Sequence, residues 1–151
     1  MQNEVMFIKD NNVGIITLNR PDRLNALTYS MVEQISETLS LWETDNNISC
    51  VIIEGAGDRS FCAGGDVVKL RKEVLADGGP PTDLSRAFFY DEYTLNYKIS
   101  NYKKPFISLI NGYTMGGGVG VSMHGSHIVG SEKTLFSMPE TAIGLFPDVG
   151  G

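Results

Sequence analysis

The chain has 151 residues, of which 42% are hydrophobic and 20% charged, values ordinary for a globular protein. Twelve Lys and Arg against 18 Asp and Glu give a net charge of −6, which argues against a nucleic-acid partner because such binding needs clustered basic residues. No apolar run approaches the ~20 residues of a membrane span, so no membrane partner is expected. With only two cysteines and no visible secretion signal or organelle leader, the sequence predicts a cytoplasmic location.

Hydrophobic periodicity predicts alternating strands and helices in the first half of the chain. In chain order these are strands at 5–9 and 13–18, a helix at about 28–43, a buried strand at 50–53 and a helix at about 66–75. In the first helix, apolar residues recur at helical spacing from Met31 to Trp42, and Ser30 with Glu33 has the spacing of a capping box.

The second half begins after "ADGGPPTD", whose two glycines and two prolines indicate a linker. The predicted elements that follow are a helix at 83–99, a strand at 105–110, a short helix at 118–124 and one or two short strands within 129–136. The alternation predicts the α/β class and one domain over residues 1–151. Because the chain stops at Gly150-Gly151, straight after its most distinctive segment, we expect it to be truncated at the C-terminus.

Glycines concentrate in two turns that each lead from a predicted strand to a predicted helix, "FCAGGD" and "NGYTMGGGVG". Glycine lets a ligand approach peptide N–H groups closely, and a helix N-terminus supplies unpaired donors. Two such turns facing each other could direct two N–H groups at one oxygen, as an oxyanion hole requires. The alternative is that these glycines only permit tight turns and close packing. Neither of the usual phosphate-loop patterns occurs.

Two acids stand alone in the apolar stretch "MPETAIGLFPDVGG". Glu140 follows Pro139 and Asp148 follows Pro147, and the prolines stiffen the backbone that carries the acids. A carboxylate among apolar side chains is poorly hydrated, which prepares it for proton transfer or nucleophilic attack. The alternative interpretation is that both acids merely cap a helix or a turn.

Other candidate groups are weaker. No G-x-S-x-G occurs, so a serine hydrolase elbow is missing. His124 and His127 have no acidic partner at ligand spacing, so no metal site is predicted. Cys62 adjoins a glycine turn, yet a packed thiol is its usual role. Asp91 and Glu92 point to different faces of a predicted helix, and a solvated face is the default for such residues.

The ordered motifs "LNRPDRLNAL", "SFCAGGD", "KKPFISLINGYTMGGGVGVSMHG" and "MPETAIGLFPDVGG" resemble the enoyl-CoA hydratase/isomerase (crotonase) superfamily over nearly the whole chain. The resemblance implies a spiral of β-β-α units, further C-terminal helices and a trimer-type homo-oligomer. It also implies an acyl-CoA thioester as substrate, with no cofactor beyond the coenzyme A of that substrate.

The resemblance also implies residue roles. The N–H groups of Gly65 and Gly117 would hold the thioester oxygen, Glu140 would act as nucleophile or general base, and Asp148 would orient it or protonate the departing thiolate. The predicted substrate-contacting residues are Glu92, Ala63, Gly64 and Asp66.

Position 120 separates the branches of this superfamily. Hydratases resemble "GGGCE" there, with a second catalytic acid, whereas this sequence has Gly120. The departure favours the hydrolase branch, whose substrates are short branched β-hydroxyacyl-CoA thioesters as in valine breakdown. A hydratase or isomerase, and a non-catalytic acyl-CoA-binding subunit of the same fold, stay open as alternatives.

Overall fold

The computed structural model describes residues 3–76, 78–79 and 82–151. The strands in these ranges are β1 (Val5–Asp10), β2 (Val13–Leu18), β3 (Cys50–Gly55), β4 (Ser60–Cys62), β5 (Phe106–Ile110), β6 (Tyr113–Met115), β7 (His127–Gly130) and β8 (Leu135–Ser137). The helices are α1 (Tyr29–Thr44), α2 (Val67–Ala76), α3 (Asp83–Ser100) and α4 (Gly117–Met123), with short 3-10 helices at Pro21–Arg23 and Glu140–Ile143. Asp77, Pro80 and Pro81 of the predicted linker lie outside the described residues.

The strands form two sheets. The larger has the order β1-β2-β3-β5-β7, antiparallel between β1 and β2 and parallel elsewhere, and the smaller is the parallel sheet β4-β6-β8. From β3 onward, each successive pair of strands adds one strand to each sheet and is followed by a helical segment. The predicted α/β class and the repeated β-β-α units are therefore confirmed.

The hydrophobic periodicity of the sequence did not indicate the second sheet. Strands β4 and β6 have only three residues each, too few for an alternating pattern to stand out. The single region predicted at 129–136 divides into β7 and β8, which belong to different sheets.

Helix α1 packs its apolar stripe into the core as predicted, with Met31, Ile35 and Leu39 fully buried. Its predicted capping box is wrong. The N-terminal cap is Thr28, whose backbone angles are extended, as is typical of a capping residue. Its Oγ1 accepts a hydrogen bond from the amide of Met31 at 3.3 Å. Ser30 lies inside the first turn, where its Oγ accepts from Gln34 at 2.9 Å.

The smaller sheet determines where the candidate site lies. Its three parallel strands are neighbours, so their carboxyl ends meet at one edge of the sheet, where ligand sites of parallel sheets form. The residues that follow β4, β6 and β8 include Gly64-Gly65, Gly116-Gly117 and Glu140 respectively. Segments that are far apart in the sequence are thereby brought together. In the described ranges, no helix has the length and apolar character to cross a membrane.

Candidate active site

The turn after β4 is held by a short parallel bridge to residues 24–27. Leu27 donates its N–H to the carbonyl of Gly64 at 2.8 Å, and Asp66 donates its N–H to the carbonyl of Leu27 at 2.7 Å. Because successive peptide groups of an extended chain point to opposite sides, Gly65 directs its own N–H away from Leu27. Gly64 has φ +106°, a conformation that favours glycine.

Asn25 explains why the sequence contains "NAL" before this bridge. Its fully buried amide donates to the carbonyl oxygens of Ala56 and Ser60 at 3.0 and 2.8 Å and accepts from the N–H of Arg20 at 2.9 Å. These bonds fix the 24–27 segment against the start of β4. Asn25 has φ +55°, which asparagine tolerates better than most residues. No role was predicted for Asn25, although the motif that contains it is part of the resemblance.

The turn after β6 presents a second backbone donor. Gly116 has φ +49° and precedes α4, so Gly117 is the first residue of that helix and its N–H has no partner within it. A Cβ on Gly117 would lie 3.3 Å from the amide nitrogen of Gly65 and would collide with Oε1 of Glu92. In the described part of the chain, neither Gly65 nor Gly117 donates its N–H to a protein acceptor. The two amides therefore adjoin and are both available to a ligand.

A cavity of about 200 Å³ lies between the two turns and α3. Seven of the eight residues predicted for the site line it: Ala63, Gly64, Gly65, Glu92, Gly117, Glu140 and Asp148. Its remaining walls are apolar side chains, among them Val67, Phe88, Phe89 and Leu145.

Asp66 is the predicted residue that the structure does not bring to this cavity. Its carboxylate accepts from the guanidinium of Arg20 at 2.8 Å and from the N–H of Lys69 at 3.0 Å, at the start of α2. Burial opposes ionisation of Asp66, but the hydrogen bonds from Arg20 and Lys69 outweigh it and lower its pKa. The side chain thus holds the glycine turn against the rest of the fold.

Glu140 is buried, with 8% of its surface exposed, and begins the 3-10 helix that follows β8. A Cβ on Gly116 would lie only 2.7 Å from its Oε1, so the carboxylate reaches the second glycine turn. Its other oxygen, Oε2, is buried and has no hydrogen-bond partner among the described residues. Burying such a group without a partner costs free energy, which makes it a candidate for chemistry.

Glu92 lies on α3 and is 3% exposed, so the default interpretation of a solvated face is wrong for it. Burial, followed by the negative charges of Asp148 and Glu140, raises the pKa of Glu92 to about 7. Near neutral pH a large fraction of Glu92 is therefore protonated and can donate a hydrogen bond. Its neighbour Asp91 faces another way and accepts from the hydroxyl of Tyr29 at 2.7 Å.

Asp148 is half-buried and accepts a hydrogen bond from the hydroxyl of Tyr93 at 2.6 Å. The adjoining carbonyl of Val149 is bound by Nε2 of His124. The His124 side chain therefore contacts the segment that carries Asp148. Across the described ranges, no group of three or more His, Cys, Asp and Glu side chains is arranged to hold a metal ion.

Gly120 lies on the buried side of α4. A Cβ there would come within 2.7 Å of Nδ2 and 2.8 Å of Oδ1 of Asn96, and within 2.9 Å of Cβ of Val149. The space that a side chain at position 120 would need is thus already filled. A second acid at this position would require the Asn96 amide to turn away and Val149 to shift.

Cys62 is completely buried, and burial raises the pKa of its thiol to about 12. The thiol contacts the carbonyl of Gly64 at 3.6 Å. It is protonated at neutral pH and packed, in agreement with the interpretation of Cys62 as a structural thiol.

The family model for enoyl-CoA hydratase/isomerase matches residues 13–151 of the chain. The chain belongs to this family. The 3-hydroxyisobutyryl-CoA hydrolases, mitochondrial, of Danio rerio and Homo sapiens are 54% and 50% identical to it over 149 and 148 residues. Both alignments cover 98% of this chain but only 38% and 37% of those proteins, so the chain spans little more than a third of these relatives' length.

Solved structures confirm the crotonase-like fold. An enoyl-CoA hydratase from Rhodobacter sphaeroides 2.4.1 superposes with a TM-score of 0.92 at 42% identity, covering 98% of this chain and 43% of that one. A carnitinyl-CoA dehydratase from Mycobacterium thermoresistibile gives a TM-score of 0.93 at 44% identity, covering 99% of this chain and 43% of that one.

Proposed function

We propose that the protein hydrolyses the thioester of 3-hydroxyisobutyryl-CoA, giving 3-hydroxyisobutyrate and free coenzyme A, a step of valine catabolism. The observation that carries this proposal is one cavity that holds two adjoining backbone amides and the buried Glu140 carboxylate; among the described residues, neither of these amides nor Oε2 of Glu140 has a hydrogen-bond partner. The hydrolases that are half identical to this chain support the choice of acyl group.

The oxyanion hole is the first part of the proposed mechanism. The N–H groups of Gly65 and Gly117 would donate to the thioester oxygen, whose negative charge grows as the carbonyl carbon becomes tetrahedral. Donors fixed by the bridge to Leu27 and by the start of α4 need no rearrangement as that charge develops.

Glu140 would supply the attack on the carbonyl carbon, by one of two balanced routes. As a general base, it takes a proton from water while the hydroxyl oxygen adds to the carbon. As a nucleophile, it forms an acyl anhydride that water then hydrolyses. In both routes the carbon–sulfur bond breaks and the thiolate leaves. Single turnover in ¹⁸O-labelled water would identify the anhydride route if the label enters Glu140.

Asp148 would act on the attacking or leaving group, and Glu92 would bind the acyl group. Asp148 lines the same cavity as Glu140 and can orient the attacking group or carry a proton to the thiolate. Glu92, partly protonated near neutral pH, can both donate to and accept from a substrate hydroxyl. That capacity fits a β-hydroxyacyl group.

A groove lined by basic residues supports coenzyme A as the carrier of the acyl group. This groove, of about 350 Å³, is lined by Arg23, Lys69 and Lys72 and shares Gly65 and Val67 with the catalytic cavity. Phosphate groups of a ligand that leaves the cavity through this groove would meet positive charge, in a chain that is acidic overall.

The hydratase alternative is disfavoured by the packing around Gly120. Addition of water across a double bond needs a pair of acids, and the site of the second is filled by Asn96 and Val149. The non-catalytic alternative is disfavoured by Glu140, because an unpartnered buried carboxylate has a cost that binding alone does not require.

The test is to mix the full-length protein with 3-hydroxyisobutyryl-CoA and a thiol reagent and to follow the release of free coenzyme A. We expect release that depends on Glu140, with Glu140→Gln as the matched control. Absorbance loss with crotonyl-CoA would indicate a hydratase instead. Tight coenzyme A binding without turnover on a panel of thioesters would indicate a binding subunit.

The remaining expectations stand as proposals. They are a trimer-type homo-oligomer and no cofactor beyond the coenzyme A of the substrate. The cytoplasmic location stays a prediction, to be weighed against the mitochondrial location in the relatives' names. Fractionation of cells that express the tagged protein would decide the location.

A further inference from the structure

Tyr93 follows Glu92 on α3, and the two side chains reach different parts of the site. Glu92 lines the catalytic cavity, whereas the Tyr93 hydroxyl donates to Oδ2 of Asp148 at 2.6 Å. The Tyr93 ring packs against that of Phe89, with 6.1 Å between the ring centroids. A hydrogen bond from the Tyr93 hydroxyl therefore links the Asp148 side chain to α3.

The backbone around Asp148 gives its side chain little other support. Residues 145–148 form neither helix nor strand, and Val149 has φ +47°, which is unusual for a β-branched residue. Among the described residues, only Tyr93 donates a hydrogen bond to the Asp148 carboxylate. Without it, the carboxylate would be free to rotate about its side-chain bonds.

We propose that Tyr93 is a positioning residue that holds Asp148 in its catalytic orientation, an inference that rests on the function proposed above. The hydroxyl occupies Oδ2, which leaves Oδ1 for the substrate or the attacking group. Charge-assisted hydrogen bonds of this kind are short and directional, so one such bond can select a single orientation.

The first experiment compares the full-length protein with its Tyr93→Phe variant, in which only the hydroxyl is lost and the ring can keep its packing on Phe89. We expect kcat to fall about tenfold or more, the effect of losing a hydrogen bond to a charged group. KM should change little, because Tyr93 is not among the residues that line the catalytic cavity.

Tyr29→Phe is the matched control. Among the described residues, it removes the other hydroxyl that donates to an aspartate: the Tyr29 hydroxyl lies 2.7 Å from the carboxylate of Asp91, which does not line the cavity. Its kcat should equal that of the wild type. A loss of kcat as large as that of Tyr93→Phe would mean that such pairs act through general stability, and would overturn the inference.

A double-mutant cycle tests whether Tyr93 acts through Asp148. Tyr93→Phe should lower kcat in the wild type but leave the residual kcat of Asp148→Ala unchanged, since the bonded carboxylate is then absent. Equal losses in both backgrounds would contradict the inference. So would an unchanged kcat in Tyr93→Phe with the wild type active. If the wild type itself releases no coenzyme A, the proposed function fails, which is a separate result.

Discussion

Glu140 and Asp148 reach the same cavity from segments that are built differently. Glu140 begins a 3-10 helix shortly after a strand of the smaller sheet, is almost fully buried, and has an oxygen with no hydrogen-bond partner among the described residues. Asp148 lies in irregular chain, is half-buried, and is bonded by Tyr93. Burial at the start of a 3-10 helix confines the first acid, whereas a hydrogen bond from a side chain holds the second. The difference is consistent with the proposed roles, in which Glu140 supplies the attack on the carbonyl and Asp148 supports it.

Removing the charge of Glu140 gives the largest expected effect. In Glu140→Gln, kcat should fall by about 10³-fold or more, because an amide is a poor base and a poor nucleophile. The melting temperature should hold or rise, since a neutral amide costs less to bury than a carboxylate whose Oε2 has no partner among the described residues. Steady-state kinetics and thermal denaturation of the same samples measure both. A kcat near that of the wild type would contradict the role proposed for Glu140.

Asp148→Asn should have a smaller effect than Glu140→Gln. The amide oxygen of asparagine can still accept from Tyr93, so the orientation is kept while the charge is lost. We expect kcat to fall about 10- to 100-fold, within the range for one general acid or base. A loss as large as that of Glu140→Gln would make the two acids equal partners and would contradict their separate roles.

Glu92 should make the stability of the fold depend on pH, because burial and the negative charges of Asp148 and Glu140 raise its pKa. Its pKa, about 7 in the fold, lies above the ordinary glutamate value, so the folded state binds more protons than the unfolded state between about pH 4.5 and 7. Glu92 therefore lowers the free energy of unfolding as the pH rises through that window, by a few kcal/mol at most.

Thermal denaturation from pH 5 to pH 8 tests this effect, with Glu92→Gln as the comparison. The melting temperature of the wild type should fall relative to that of the variant as the pH rises. A constant difference between the two proteins across this range would show that Glu92 does not take up a proton on folding.

Cys62→Ala should change activity least. The thiol is buried and protonated, so kcat should equal that of the wild type, while the free energy of unfolding falls by about 1–2 kcal/mol through lost packing. Loss of kcat in a folded Cys62→Ala protein would move the chemistry from the carboxylates to the thiol.

The positions along the chain of β1, β2, β3, α1 and α3 and of both glycine turns could be predicted from the sequence, because each has a local signal. Apolar residues at helical spacing marked α1, and unbroken apolar runs marked buried strands. Other features had no such signal. The three-residue strands β4 and β6 are defined by their partners, and the cap of α1 at Thr28 depends on the path of the chain before it.

For the site, the chemical groups could be read from the sequence: glycines that free backbone donors, and acids in stiff apolar segments. Which of these groups meet depends on the fold. Parallel pairing of β4, β6 and β8 brings Gly65, Gly117 and Glu140 to one edge, whereas the ion pair with Arg20 keeps Asp66 away from the cavity. Residues distant in the sequence bury Glu92 and so raise its pKa. The hydrogen bond from Tyr93 to Asp148 likewise joins residues that are far apart in the sequence. Spacing along one chain carries no information about such contacts, because they exist only once the strands have paired.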